Sequence, residues 1–159
     1  MGAGKTTVGQ LVAGKLGVPF LDSDHVIEAR AGRPIREIFA SDGEPAFREL
    51  EHQMIADLLA GPSAVLALGG GAASHPGTRS RLMAADVTVC YLRVSYDEAL
   101  ARIGGDSGRP MLARPDIAAV YESRQEVYAS VATLTVDTDG RSPEAAASEV
   151  LKGVIVTDK

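Results

Sequence analysis

Met1-Gly2-Ala3-Gly4-Lys5-Thr6-Thr7 opens the chain and carries the last part of a phosphate-binding loop, G-x-x-x-x-G-K-[ST]. In such a loop backbone N–H groups close around a nucleotide's phosphates, so Gly2, Ala3, Gly4 and Thr7 are expected phosphate contacts. Lys5 would reach the outer phosphates, and the Thr6 hydroxyl would hold a Mg²⁺. From Thr6 onward Val8, Leu11, Val12 and Leu16 recur at three- and four-residue spacing. That period is a helix with one apolar face, and its positive end points back at the loop. The pattern's first Gly would fall two positions before Met1, and the strand that feeds such a loop has no counterpart in the 159 residues. A truncated or mis-started version of a longer protein is therefore expected, because that strand is normally a buried member of a parallel sheet.

Size and charge narrow the class. A chain of 159 residues can bury one core of ordinary dimensions. The net charge of −5 argues against a general nucleic-acid binder, which gathers positive charge to displace counterions from phosphates. Cys90 is the single cysteine; no internal disulfide can form, and its place in an apolar run assigns it to core packing. The sequence shows neither a basic-apolar signal segment nor an apolar run of membrane-spanning length, so a cytoplasmic protein without a membrane partner is expected. A monomer is expected as well.

Strand-like and helical patterns alternate along the chain. Strands are predicted over 18–22, 64–68, 87–94 and 133–137. A helix over 44–59 sets Phe47, Leu50, Met54, Ile55, Leu58 and Leu59 on one stripe, and Ser95 with Glu98 makes a capping box for a helix over 96–103. A last helix begins at Ser142-Pro143-Glu144, with Ser as cap and Pro at the first helical position. This alternation predicts an α/β fold with a mostly parallel sheet covered by helices, and a ligand outside the carboxyl ends of the strands.

Those carboxyl ends hold the informative residues. Asp22-Ser23-Asp24 ends the first strand; one of the two acids can steady Mg²⁺ through its waters while the other accepts a proton from an attacking hydroxyl. The competing structural role is that Asp24 or Ser23 caps the next helix. Gly69-Gly70-Gly71 follows the second strand and gives a small ligand access to main-chain N–H groups. The polar glycine cluster from Gly104 to Pro110 reads as a lid whose Arg109 swings in to neutralise a transferring phosphoryl group. Arg48 lies beside Glu44 and Glu51 on the polar side of its helix, where a surface ion pair is the ordinary use. Arg124 sits on a helix beyond the lid. His25, His52 and His75 have no metal-ligand spacing.

M-G-A-G-K-T-T, Asp22-Ser23-Asp24, Phe47-Arg48-Glu49-x-Glu51, Leu68-Gly69-Gly70-Gly71-Ala72, Arg109-Pro110-x-Leu112 and Arg124-x-x-x-Tyr128 stand here in the order found in shikimate kinases, which the chain resembles over nearly its whole length. The resemblance implies a three-layer α/β/α phosphate-loop kinase fold, a single domain over 1–159 with a substrate-binding segment at about 23–52 and a lid at about 104–116. The first strand of that fold is missing from the chain as given. It implies transfer of the γ-phosphoryl group of Mg-ATP to the 3-hydroxyl of shikimate, a step of chorismate and aromatic amino acid biosynthesis.

Carried over by position, Lys5 binds ATP phosphates, Thr6 coordinates Mg²⁺ and Asp22 helps through water. Asp24 holds substrate hydroxyls and acts as base. Arg48, Arg124 and the backbone of Gly69, Gly70 and Gly71 bind shikimate, and Arg109 closes over both ligands. Arg102 and Arg141 match residues on the adenine side. Two departures accompany the match: the stretch from Arg109 to Arg124 is shorter than usual by about one helical turn, roughly 3.6 residues, and the motif ending at Tyr128 lacks a proline often found in it. The alternatives are a related gluconate-type kinase and a nucleotide-binding module inactive through loss of the feeding strand.

Overall fold

A computed structural model describes residues 4–84, 86–103 and 117–157. Met1, Gly2 and Ala3, and the expected lid at 104–116 with Arg109, Pro110 and Leu112, lie outside the described residues.

Gly4 turns the chain at φ 82° and ψ 29°, a left-handed conformation that suits glycine, and helix α1 (Lys5–Leu16) begins at the next residue. Among the described residues no side chain caps α1. Strand β1 (Phe20–Asp22) pairs in parallel with β2 (Val65–Ala67), Asp22 opposite Ala67. Strand β3 (Cys90–Arg93) pairs in parallel with β4 (Leu134–Asp137), Arg93 opposite Asp137. Among the described residues these are two separate two-stranded sheets. Helices α2 (Ser23–Ala31), α3 (Ile35–Asp42) and α4 (Glu44–Ala60) connect β1 to β2. A 3₁₀ turn (Ala72–Ser74) and α5 (Pro76–Ala84) lead to β3, then α6 (Tyr96–Ile103) and α7 (Ile117–Val131) to β4, and α8 (Pro143–Thr157) closes the chain.

Two larger apolar clusters and a small one of Val94 and Ala99 hold these elements. Val8 and Val12 of α1 meet Val136 of β4 and Ala146, Ala147 and Val150 of α8, with Val65 and Leu92 packed on them. Ile27, Ile38, Phe47 and Met54 join α2, α3 and α4 into a second cluster beside β1. Burying the valine, isoleucine, phenylalanine and methionine side chains among these stabilises the fold by about 1.5–3 kcal/mol each. Helix α1 lies so close to β1 that a Cβ on Gly9 would stand 2.5 Å from Phe20 Cε2.

The strands are shorter than the alternation predicts, most of all the third, expected over 87–94. Its first residues leave the ladder because Val89 is held by Thr133: the Val89 N–H donates to Thr133 Oγ1 at 2.9 Å, and the Val89 carbonyl accepts from Thr133 N–H at 2.9 Å. Caps are found at both predicted places. Ser142 Oγ accepts from Ala145 N–H at 3.1 Å. Ser95 Oγ accepts from Glu98 N–H at 3.3 Å, but the return half of the box is made by Asp139, whose carboxylate takes the Ser95 N–H at 3.0 Å. Glu98 pairs instead with Arg102 at 3.2 Å. Helix α3 is an addition to the predicted set: its Ile35, Ile38 and Phe39 pack into the second cluster, but eight residues are too short a span for the period to stand out. Cys90 packs against the first cluster, and burial pushes its thiol up to about 11.

Candidate active site

The carboxyl end of β1 delivers the acidic turn. Asp22 caps α2: its Oδ1 accepts the Asp24 N–H at 2.9 Å. Neither Asp24 nor Ser23 is that cap, which corrects the structural role weighed for them, and Asp24 is left with its carboxylate turned to the Gly69 backbone. A Cβ on Gly69 would stand 2.8 Å from Asp24 Oδ1. Ser23 is buried, and its Oγ accepts the Gly69 N–H at 3.1 Å. The end of β1 is thereby tied to the end of β2.

The triple glycine is a turn whose carbonyls are all taken. Gly69 C=O accepts from Ala72 N–H and Gly71 C=O from Ser74 N–H, both at 3.0 Å. Gly70 C=O accepts from the Tyr128 hydroxyl at 2.5 Å. The Gly70 and Gly71 N–H groups have no acceptor among the described residues. Arginines close over this turn from two helices. A Cβ on Gly71 would stand 2.3 Å from Arg48 Nη2, and one on Gly70 would stand 3.1 Å from Arg124 Nη1. A side chain at Gly71 would therefore collide with one guanidinium, and one at Gly70 would crowd the other.

Arg48 is not the surface residue expected. Its side chain is 18% exposed, and Glu51, its partner at 2.9 Å, is 1% exposed; Glu44 stands farther off at 3.7 Å. The guanidinium also lies over the Phe47 and Phe39 rings, 5.1 and 5.9 Å from their centroids, contacts that favour a cation. Glu51 Oε1 accepts from Arg48, while Oε2 is buried without a hydrogen-bond partner among the described residues. Burial raises the Glu51 carboxyl above its ordinary value, against the lowering effect of Arg48. Burial likewise raises Asp24, with the charge of Asp22 adding to it and those of Lys5 and Arg48 opposing it. A carboxyl kept above its usual range is a stronger proton acceptor once ionised.

The other rim is formed by α1, β4 and the start of α8. Gly4, Thr7, Arg102 and Arg141 line one cavity of about 260 Å³ together with Thr138 and Ser142. The structure thus brings together four residues expected at the nucleotide. Arg102 is anchored, its Nη1 and Nη2 donating to Thr138 Oγ1 at 3.1 Å and Thr138 C=O at 2.8 Å. Thr6 and Asp22 meet on the wall of a second cavity of about 390 Å³. These two oxygen ligands fit Mg²⁺, which is usually bound by one or two protein groups and completed by phosphates and water. No group of three or more His, Cys, Asp or Glu side chains able to hold a metal alone occurs among the described residues.

Sequence reasoning weighed Ser23 as a helix cap and Glu51 as a surface ion-pair partner of Arg48, and Tyr128 entered only as a motif position; none of the three was given a role in the site. A signal for Glu51 existed: it shares the helical face of Phe47, Met54 and Ile55, one turn from each. His52 and His75 stack at 4.3 Å between α4 and α5, with His75 Nε2 on Glu49 and His52 Nδ1 on Thr78.

Comparison with known proteins gives one answer. The family model "SKI: Shikimate kinase" matches residues 1–154. A shikimate kinase of Mycobacterium avium (strain 104) is 45% identical over 161 residues, covering 99% of this chain and 90% of its own. One of Salinispora arenicola (strain CNS-205) is 49% identical over 152 residues, covering 94% and 90%. Among solved structures, the shikimate kinase from Acinetobacter baumannii in complex with shikimate superposes with a TM-score of 0.90 at 36% identity, covering 100% of this chain and 90% of that one. The enzyme from Aquifex aeolicus vf5 gives 0.82 at 30% identity, covering 98% and 92%.

Proposed function

This chain belongs to the shikimate kinase family, and we propose that its residues divide the transfer from Mg-ATP to shikimate between the two rims of the fold. Membership makes it an ATP-dependent phosphotransferase acting on an alcohol group, with a phosphate-loop kinase fold. The gluconate-type alternative gives way to that membership. The observation that carries the division is the glycine turn, with its carbonyls taken, two N–H groups without an acceptor among the described residues, and Asp24, Arg48 and Arg124 around it.

On the acidic rim, Arg48 and Arg124 offer guanidinium forks to the substrate carboxylate, and Gly69, Gly70 and Gly71 supply backbone contact. Asp24 takes the proton of the attacking 3-hydroxyl as the new O–P bond forms and the bond to the leaving ADP oxygen breaks. Its raised pKa supports that role, and the charge of Lys5 acts on its carboxyl. On the nucleotide rim, Gly2, Ala3, Gly4, Lys5, Thr6 and Thr7 receive the phosphates at the start of α1, while Arg102 and Arg141 flank the adenine side. Thr6 and Asp22 hold Mg²⁺, which when bound neutralises charge on the phosphates. Arg109, by its place in the sequence motif, adds positive charge at the transferring group. The segment at 23–52 serves as the substrate-binding part of a single domain over 1–159. The partners in this reading are shikimate and ATP, the net charge of −5 disfavours nucleic acid, and a cytoplasmic monomer completes the proposal. No helix among the described residues is long and apolar enough to cross a membrane.

ADP release in the presence of Mg-ATP and a panel of shikimate, gluconate and nucleoside monophosphates tests this reading. Turnover with shikimate alone is expected. Faster turnover with gluconate, or none with shikimate while ATP binds, would overturn it.

A further inference from the structure

We propose that Tyr128 is a positioning residue of the substrate seat: by holding the Gly70 carbonyl, its hydroxyl aims the Gly71 N–H at the bound substrate. This rests on the reading of the glycine turn as the shikimate seat.

A trans peptide is planar, with its C=O and the following N–H on opposite sides. Fixing one therefore fixes the other. The Gly69–Gly70 peptide is oriented by the turn itself, since Gly69 C=O accepts from Ala72 N–H. The Gly70–Gly71 peptide has no such main-chain partner on its carbonyl; the Tyr128 hydroxyl provides it at 2.5 Å. Glycines resist such fixing more than other residues, because their backbone has the most freedom to lose. A tether on this peptide is correspondingly worth more here than in an ordinary turn.

Tyr128 is itself well held. Its ring packs on that of Tyr91 at 5.3 Å between centroids, and burial raises its phenol, which keeps the hydroxyl a donor at neutral pH. Tyr91, also buried, has a hydroxyl without a partner among the described residues. The ring pair is thus fixed by packing, and the hydrogen bond from Tyr128 is spent on the glycine turn. One helical turn earlier on α7, Arg124 reaches the same glycine, its Nη1 3.1 Å from where a Cβ would stand. Helix α7 therefore brings two things to Gly70: a guanidinium for the substrate and a hydroxyl for the peptide behind it.

Tyr128→Phe keeps the ring and removes the donor, leaving a half-buried carbonyl unpaired. The expected result is a shikimate KM raised roughly tenfold, with the ATP KM within about twofold and the melting temperature within about 3 °C of the parent. In ¹H–¹⁵N spectra the Gly71 amide should shift while the Gly69 amide, held by Ser23, stays in place. A shikimate KM unchanged in Tyr128→Phe, or equal losses in both KM values with a matching loss of stability, would overturn the inference. Arg124→Ala separates the two failures. If it too leaves shikimate binding untouched, the seat itself is wrongly placed; if it abolishes binding while Tyr128→Phe does nothing, only the positioning role fails. Should Tyr128→Phe not fold, 3-fluorotyrosine at position 128 keeps the ring and strengthens the donor, and an unchanged Gly71 amide and shikimate affinity would then overturn the role.

Discussion

The two parallel strand pairs end in opposite ways. At the carboxyl ends of β1 and β2 the acids are drawn inward, and burial raises the carboxyls of Asp24 and Glu51. At the ends of β3 and β4 the pair Arg93–Asp137 is about half exposed, and the hydrogen bonds from Arg93 hold the Asp137 carboxyl below its usual range. Asp139 nearby is lowered in the same way by Ser95. Exposed ion pairs contribute little and cost little. A buried acid with an unpartnered oxygen is costly unless it has other work. Identical topology thus carries buried, raised acids at the end of one pair and exposed, lowered ones beside the nucleotide rim at the end of the other, and the difference lies in where the charges sit relative to water.

The sharpest way to break this contrast is at Asp24. Asp24→Ala should lower kcat by about 10²–10⁴, leaving ATP affinity within a few-fold. Lys5→Ala should damage ATP binding and turnover together; steady-state kinetics and nucleotide titration check both. Equal loss of ATP binding in the two variants would dissolve the division between rims. Next in size, Arg48→Ala or Arg124→Ala should raise the shikimate KM by roughly 10–100-fold, the loss of a charge-assisted contact, with little change in the ATP KM. The mirror experiment is Arg102→Ala on the nucleotide rim, expected to raise the ATP KM by about 2–10-fold and to spare shikimate. A crossed pattern, with Arg102 affecting shikimate and Arg48 affecting ATP, would show that the rims are not separate.

The smallest effect concerns stability. Because the folded carboxyl of Asp24 is raised above its ordinary 3.8, the folded state binds the proton more tightly than the unfolded chain. Its contribution is complete below 3.8 and is lost as pH rises through the folded value. At neutral pH the ionised group is therefore a burden, and Asp24→Asn should raise the melting temperature by about 2–4 °C while activity is lost. The gain should shrink on acidification. A destabilised Asp24→Asn protein at neutral pH would mean that the carboxylate holds the fold together.

Much of this is legible in the sequence. Periodicity located α1, α4 and the strands, since buried faces of regular elements impose regular spacing, and a capping box located α6. The acidic turn and the triple glycine announced themselves by residue type. Burial of charge did not. Arg48 and Glu51 read as a surface pair because helical spacing alone makes them neighbours, yet the apolar residues on both sides of Glu51 along its face put it inside. The Tyr128–Gly70 and Ser23–Gly69 bonds join residues 58 and 46 positions apart, and no local pattern encodes such meetings. Asp22 was assigned to the metal, and its second task as helix cap emerged only from the backbone direction at the end of β1.

The closeness of α1 to β1 has a mechanical side. With Gly9 pressed against Phe20, the height of the helix above the strand is set by the absence of a single methyl group, and Thr6 and Asp22 inherit their separation from that height. Alanine at position 9 would act as a shim, lifting the phosphate-binding end away from the acidic turn while altering neither. In a tolerance map of the chain, position 9 would rank with residues that touch ligand, although it serves only as a spacer.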